Sequence, residues 1–191
     1  LTAGLVQLKL QERGLLDKTK IVTVEAGQTI PAGCFQVEFI HVNHSIADSV
    51  AFAIKTPIGT VVQTGDFKID VTPLQGEMTD LTRFGELGRE GVLALLMDST
   101  NVERPGHSLS ESKVHDRFDQ LFKDCDKRII VTTFASNVDR IRQIIDLAVK
   151  YKRKVGITGR SMENVVKLCV ELGYMKVPDG ILVDMKRIGS V

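Results

Sequence analysis

The chain opens with a hydrophobic pattern that is typical of a helix. Apolar side chains at Leu5, Leu8 and Leu10 recur between polar ones across residues 2–13. Gly14 follows, and a glycine just past the last periodic residue commonly ends a helix. The pattern therefore predicts one helix at the start of the chain.

A β-rich segment is predicted next, over residues 20–67. Its apolar runs are short, β-branched or aromatic, and glycine or proline separates them: IVTVEAG, FQVEFIHV, SVAFAIKTP and GTVVQTGDF. The residues Thr56-Pro57-Ile58-Gly59 suit a tight turn, so the last two runs are expected to form a β-hairpin. This part of the chain is predicted to be antiparallel.

After about residue 90 the pattern changes to strands that alternate with helices. The predicted strands are GVLALLMD, RIIVTTF, KVGITG and ILVDM. The predicted helices are one opened by an S-x-x-E capping box at 108–111, then NVDRIRQIIDLAVKY and SMENVVKLCVELG. Such alternation indicates βαβ units and a parallel sheet. The expected fold class is α/β, with two domains at residues 1–88 and 89–191.

Composition narrows the class of protein. A chain of 191 residues that is 43% hydrophobic and 26% charged can bury one sizeable core or two small ones. Its formal net charge of +1 excludes the strong basic field that would by itself indicate nucleic-acid binding, although a local basic patch is compatible with it. Cys34, Cys125 and Cys169 are far apart and predict reduced thiols. No apolar run reaches the ~20 residues of a membrane span, so a soluble, cytoplasmic protein without membrane contact is expected.

Two histidines and an aspartate are candidates for a metal site. His44 stands where the strand containing His41 gives way to a turn, and Asp66 follows the second strand of the predicted hairpin. A neutral imidazole and a carboxylate that converge at strand ends suit a zinc ion. The alternative is that His44 hydrogen-bonds a backbone group, as a histidine at a strand end commonly does. Two ligands are too few for tight binding, so the spacing leaves both interpretations open, and His41 is interpreted as a structural or supporting residue.

Two predicted strand-to-helix junctions are candidate phosphate sites. They contain Ser136 and Asn137 in the first and Gly159, Arg160 and Ser161 in the second. Backbone N–H groups and the positive end of a helix dipole lie at such junctions, and Arg160 adds a guanidinium. The alternative is that Asn137 and Ser161 only cap their helices. A G-x-G-x-x-G fingerprint is absent from the sequence, which disfavours a nicotinamide cofactor.

Five ordered motifs carry a resemblance to a known family. They are NHSIADS, TGDFKID followed by TP, LLMDSTNVERPG followed by SLSE, TTFASNVDR and GRSMENVVK. In this order they closely resemble the ribonuclease J family, in the β-CASP branch of the metallo-β-lactamase superfamily, over essentially the whole chain. The resemblance implies that residues 1–88 are the closing part of a metallo-β-lactamase domain of αββα type. It also implies that residues 89–191 begin a β-CASP domain with a parallel, doubly wound sheet.

The resemblance implies roles for three residues. His44 and Asp66 match ligands of the family's two-zinc site, with Asp66 as the carboxylate that bridges the metals. Asp98 matches an acidic residue that contacts a catalytic-site histidine, whereas the residues alone favour a polar strand end that caps the STN turn. Family members hydrolyse RNA as 5′-to-3′ exonucleases and as endonucleases in rRNA processing and mRNA decay, using a metal-activated water. The implied partners are RNA and further subunits, in a homo-oligomer or with a paralogue.

The chain also departs from the family pattern. The family's H-x-H-x-D-H motif is expected before Leu1, and a glycine-rich segment and a further histidine are expected after Val191. Ala47 stands where relatives often carry proline. The chain is thus expected to be a central fragment that is inactive alone, with a non-catalytic RNA-binding or assembly subunit as the alternative. An intact upstream H-x-H-x-D-H motif would favour the enzyme.

Overall fold

The computed structural model describes residues 1–74 and 76–186. Its contacts divide the chain into two compact units. The sheet unit comprises Ile21–His44 and Asp48–Glu111, and the helical unit comprises Leu1–Lys20, Ser45–Ala47 and Ser112–Val191. These units differ from the predicted division at 88/89, because the strand after residue 90 pairs within the sheet unit. The boundary between the two predicted domains stays a prediction. The last residues of the predicted second domain, 187–191, lie outside the described part of the chain.

The sheet unit contains a five-stranded mixed sheet. In spatial order its strands are β1 (Thr29–Ala32), β2 (Phe35–His41), β3 (Val50–Thr56), β4 (Gly59–Gln63) and β5 (Ala94–Leu96). The first four strands are antiparallel neighbours, whereas β5 is parallel to β4. The predicted hairpin is confirmed, with Pro57 and Ile58 between β3 and β4. Helix α2 (Leu81–Glu90) makes the connection that a parallel β4–β5 pair requires.

One face of the sheet forms the core of this unit. Ala51 and Ala53 share a face of β3 and have no exposed surface. They form a single buried cluster with Ile40, Val62 and other apolar residues, including Leu87 of α2. The helix that connects β4 to β5 therefore also covers the sheet.

Two parts of the sheet unit differ from the sequence prediction. The run IVTVEAG forms no strand. The first strand, β1, begins only at Thr29, after a turn in which Gly27 has φ +87°. A β-branched run needs a partner edge for its backbone groups, and propensity alone does not supply one. Helix α2 was not predicted, since Gly85 and Gly88 lower its helix propensity. Its Asp80 cap, which accepts a hydrogen bond from the Arg83 N–H at 2.9 Å, is the signal that could have revealed it.

The described residues of the helical unit form four α-helices and a short parallel strand pair. The helices are α1 (Thr2–Glu12), α3 (Glu111–Asp124), α4 (Val138–Lys150) and α5 (Arg160–Glu171), and the strands are β6 (Val155–Gly156) and β7 (Leu182–Val183). The first residue of α3, Glu111, still belongs to the sheet unit. Residues of α4 and α5, among them Ile145 and Cys169, share one buried cluster, while Phe122 of α3 packs with Leu147. The predicted helices α1, α4 and α5 are confirmed. No described helix is both long and apolar enough to cross a membrane.

The parallel sheet predicted after residue 90 is only partly present in the described residues. The run 128–134 forms no strand, and its Ile130 and Phe134 side chains are exposed. The run GVLALLMD contributes three residues, β5, to the mixed sheet. The capping box predicted at 108–111 is also wrong, because α3 begins only at Glu111. The hydroxyl of the preceding residue, Ser110, donates to the Thr72 carbonyl at 2.9 Å. Hydrogen-bonding partners distant in sequence decide these features, and hydrophobic periodicity does not encode them.

A guanidinium joins α2 to the sheet. Arg83 donates to both carboxylate oxygens of Glu38 on β2, at 2.6 and 3.0 Å, and also to Glu86 and Glu90 on its own helix. The hydrogen bonds with Glu38, the largest cause, raise the pKa of Arg83 above its ordinary value. Paired bonds of this kind fix orientation as well as distance. The bidentate pair therefore holds α2 in register with β2.

Replacing Arg83 with methionine should destabilise the protein by about 2 kcal/mol. This is below the cost of breaking a fully buried pair, because the Arg83 side chain keeps 21% of its surface exposed. Chemical denaturation measures the difference. The matched control is Arg142→Met, whose exposed pair with Asp146 is 3.9 Å long and should contribute less than about 0.5 kcal/mol. Equal losses in the two variants would contradict a special role for Arg83.

Candidate functional site

The parallel pairing of β4 with β5 brings two candidate carboxylates to one edge of the sheet. The pairing continues past both strands, since the Thr64 N–H donates to the Leu96 carbonyl at 3.0 Å. The Asp98 N–H then donates to the Thr64 hydroxyl at 3.0 Å. Because the carboxyl ends of parallel strands meet at the same edge, Asp66 and Asp98 follow β4 and β5 at the same edge of the sheet.

Gly65 turns the chain just before Asp66. Its φ is +59°, in the left-handed region, and a Cβ atom there would lie 3.1 Å from the Val50 carbonyl oxygen. Both the conformation and the lack of space favour glycine over any other residue. The short TGD sequence therefore directs the Asp66 side chain away from the strand.

Backbone pairing, supported by an asparagine side chain, brings the loop of His44 to the loop of Asp66. Asn43 and Lys68 form an antiparallel bridge in which the Lys68 N–H donates to the Asn43 carbonyl at 2.7 Å. The Asn43 side chain accepts from the Thr79 N–H at 2.9 Å and donates to the Glu77 carbonyl at 2.6 Å. The Asn43 N–H donates to the Thr79 hydroxyl at 2.9 Å. Asn43 thus connects three segments beside the candidate ligands.

His44 and Asp66 come within reach of a common metal ion. Their Nε2 and Oδ2 atoms are 3.8 Å apart, and 27% and 78% of the side-chain surfaces are exposed. Two ligands of one zinc ion can be at most about 4.2 Å apart, given Zn–N and Zn–O bonds of about 2.0–2.2 Å. The pair therefore fits a zinc ion as two of its ligands. No group of three potential ligands is found among the residues that the structure describes.

Asp98 is held within the same edge. Its carboxylate accepts from the Thr100 hydroxyl at 2.6 Å and from the Thr100 N–H at 2.9 Å. These bonds, together with the Phe67 N–H and the nearby His44, hold the pKa of Asp98 below its ordinary value. Asp98 thus caps the turn after β5, as one interpretation of the sequence predicted. Its own N–H, which donates to the Thr64 hydroxyl, also ties Asp98 to the end of β4.

His41 occupies a different position from His44. Its Nε2 atom lies 3.0 Å from the Glu77 carbonyl, and its own carbonyl accepts from the Asp80 N–H at 3.1 Å. These contacts are in keeping with the structural role expected for His41.

The candidate phosphate residues lie in the helical unit, at two helix N-termini. Asn137 caps α4 and accepts from the Arg140 N–H at 3.1 Å, while the preceding Ser136 carbonyl accepts from the Val138 N–H. Gly159, with φ +102°, is the N-cap of α5, and no side chain caps that helix. Capping by Ser161 is therefore wrong, because Arg160 and Ser161 are already the first two helical residues.

Several residues of the edge were missed from the sequence. Asn43 and Thr79 are the clearest, since the structure uses both to join segments that are 36 residues apart. Asn43 stands beside His44 and could have been noted for that reason. Thr79 carries no local signal, because its partners come from distant parts of the chain.

Comparisons with known proteins identify the family. The family model described as "Ribonuclease J, beta-CASP domain" matches residues 126–191. Ribonuclease J of Synechocystis sp. is 48% identical over 97% of this chain, and ribonuclease J of Helicobacter pylori strain J99 is 45% identical over all of it. The chain belongs to the ribonuclease J family. It spans 29% and 28% of those two relatives, so it corresponds to less than a third of a ribonuclease J.

A further relative and a solved structure extend the comparison. Ribonuclease J of Mycolicibacterium smegmatis is 46% identical over 96% of this chain, which covers 33% of that protein. A crystal structure of a protein of unknown function from Enterococcus faecalis V583 matches 87% of this chain with a TM-score of 0.61 at 16% identity, and the match covers 42% of that protein. This likeness concerns the fold alone. The ribonuclease J resemblance and the α/β class with a β-CASP part are thereby confirmed, whereas the metallo-β-lactamase domain and the doubly wound sheet stay predictions.

Gly65→Ala should destabilise the protein by about 1–2 kcal/mol, because the new Cβ atom meets the Val50 carbonyl in a left-handed conformation. Denaturant unfolding measures the loss. Gly85→Ala is the matched control, since nothing lies within 4 Å of its added Cβ atom in α2 and alanine favours helix there. A Gly65→Ala variant as stable as the control would contradict the steric constraint.

Proposed function

We propose that this chain is part of a zinc-dependent ribonuclease that hydrolyses RNA phosphodiesters, as a 5′-to-3′ exonuclease and as an endonuclease. The observation that carries the proposal is the 3.8 Å approach of His44 to Asp66. It occurs in a chain whose relatives are named ribonuclease J. The edge supplies an imidazole nitrogen and a carboxylate, which are preferred zinc ligands.

The residues of the chain have distinct roles in this proposal. His44 provides a nitrogen ligand through Nε2, and Asp66 provides a carboxylate whose two oxygens can bridge two ions. A zinc pair, when bound, activates a water for attack on phosphorus. Asp98 already accepts hydrogen bonds from the Thr100 hydroxyl and N–H, so it fixes the turn beside the reacting groups. Residues that surround metal ligands without binding the metal themselves commonly orient those ligands.

The chain alone supplies only part of such a site. His44 and Asp66 are two ligands, and a catalytic zinc ion commonly takes three protein ligands. The chain also covers less than a third of the related ribonucleases. We therefore propose activity for the complete protein and expect none from this segment by itself. Its proposed setting is the cytoplasm, within a homo-oligomer or beside a paralogue.

The helix N-termini of the helical unit are proposed to contact the RNA backbone. Gly159 leaves the first N–H groups of α5 without a side-chain cap, and Arg160 places a guanidinium at the same end. Backbone N–H groups and the helix dipole both attract phosphate. At α4, the side chain of Asn137 already caps the helix, so the proposed contribution of Ser136 and Asn137 comes from backbone groups.

His44→Ala and Asp66→Ala should each lower zinc content and RNA cleavage in the complete protein. Loss of residues that only orient ligands costs about 10–100-fold, so removal of a ligand should lower cleavage by more than about 100-fold. Metal analysis and a ribonuclease assay measure the two effects. His107→Ala and Asp126→Ala, at exposed positions outside this edge, are the controls. Full zinc content and full cleavage in both ligand variants would refute the assignment. RNA binding without zinc or cleavage in the wild-type protein would favour the non-catalytic subunit.

Arg160→Ala should weaken RNA binding by the complete protein and flatten its salt dependence. One lost phosphate contact reduces the slope of log affinity against log salt by about one. Arg117→Ala is the matched control, because Arg117 is an exposed arginine of the same unit that donates to Gln120. An unchanged slope in Arg160→Ala would exclude a phosphate contact at this residue.

A further inference from the structure

The position of the Asp66 carboxylate depends on its loop. Its side chain is 78% exposed, so packing around the side chain does little to hold it. Gly65 sets the turn before Asp66, and the residues that follow Asp66 hold the other side of the loop. Residues 67–72 contain two charged side chains that are largely buried, Lys68 and Asp70.

Asp70 is the most deeply buried carboxylate of this loop. Only 4% of its side-chain surface is exposed. Its Oδ1 atom accepts from the Thr72 N–H at 3.1 Å, and its Oδ2 atom accepts from the Glu111 N–H at 3.0 Å. Burial acts to raise the pKa of Asp70, but these N–H groups, the Ser110 hydroxyl and Lys68 together hold it below its ordinary value. The carboxylate is therefore charged and tightly bound at neutral pH.

Lys68 connects Asp70 to the segment that carries His44. Its Nζ atom lies 3.5 Å from Asp70 Oδ2 and 3.7 Å from Glu111 Oε1, with 24% of the side chain exposed. Its N–H donates to the carbonyl of Asn43, the residue before His44. The Thr79 hydroxyl approaches the Lys68 carbonyl at 3.2 Å. Lys68, on the segment that carries Asp66, is thus held at both its side chain and its backbone beside the segment that carries His44.

We infer that Asp70 is a positioning residue, which anchors Lys68 and thereby sets the distance between the His44 and Asp66 side chains. This inference rests on the proposed metal site. Asp70 is four residues from Asp66 and does not itself bind the metal. Its effect passes through the loop backbone, so its loss loosens the ligand pair without removing a ligand.

Asp70→Asn in the complete protein tests the inference, with Co²⁺ as a spectroscopic probe. The amide replaces one acceptor oxygen by a donor, so it cannot accept from both the Thr72 and the Glu111 N–H groups. We expect about 10–100-fold weaker Co²⁺ binding, an altered visible Co²⁺ spectrum, and a lower kcat with an unchanged KM for RNA. Lys68→Met, which leaves both N–H bonds to Asp70 in place, should change the spectrum in the same direction.

Asp80→Asn is the matched control. Asp80 caps α2 through a bond from the Arg83 N–H, and asparagine caps a helix equally well, so the Co²⁺ spectrum and affinity should stay as in the wild-type protein. A lower unfolding temperature in Asp70→Asn with wild-type Co²⁺ binding and spectrum would overturn the inference, since Asp70 would then contribute only to stability.

Amide hydrogen exchange separates this inference from the proposed function. Without any metal, the Lys68 N–H should exchange at least about tenfold faster in Asp70→Asn than in Asp80→Asn, because its loop opens more readily. Equal exchange rates would overturn the anchoring role. If the Lys68 N–H exchanges faster in Asp70→Asn while the wild-type protein binds no Co²⁺, the anchoring role is retained and the metal site is refuted.

Discussion

The candidate site depends on the parallel pairing of β4 with β5. Only three residue pairs define it, Val61 with Ala94, Val62 with Leu95 and Gln63 with Leu96. A shift by one residue would move every side chain of β5 to the opposite face. The Asp98 N–H would then no longer meet the Thr64 hydroxyl. Helix α2 makes this pairing possible, because parallel strands cannot be joined by a tight turn.

Fixed backbone contacts, rather than side-chain packing, place the candidate ligands. Asp66 is largely exposed and follows a left-handed glycine, while the bridge between Asn43 and Lys68 brings the loop of His44 beside it. Such an arrangement leaves the ligand atoms accessible while their backbone is held. Residues without a metal-binding side chain of their own, such as Asn43 and Thr79, are therefore as important to the geometry as the ligands.

The two helix N-termini show how far a local pattern predicts a site. Asn137 was recognised as a possible cap and does cap α4. At α5 the pattern was misleading by two positions, because the N-cap is Gly159 rather than Ser161 and the helix begins at Arg160. Whether either terminus binds phosphate depends on electrostatics that a capping pattern does not encode.

By itself the sequence determined the elements whose signals are local. The helices α1, α4 and α5 follow their hydrophobic periodicity, and the β3–β4 hairpin follows its Pro57-Ile58 turn. The family motifs also selected His44, Asp66 and Asp98, which the structure places on one edge, although their metal roles stay predictions. Only the tertiary structure decided that β5 joins the antiparallel strands, that residues 128–134 form no strand and that Lys68 meets Asn43. The physical reason is that a strand or a loop contact needs a hydrogen-bonding partner, and that partner can lie anywhere along the chain.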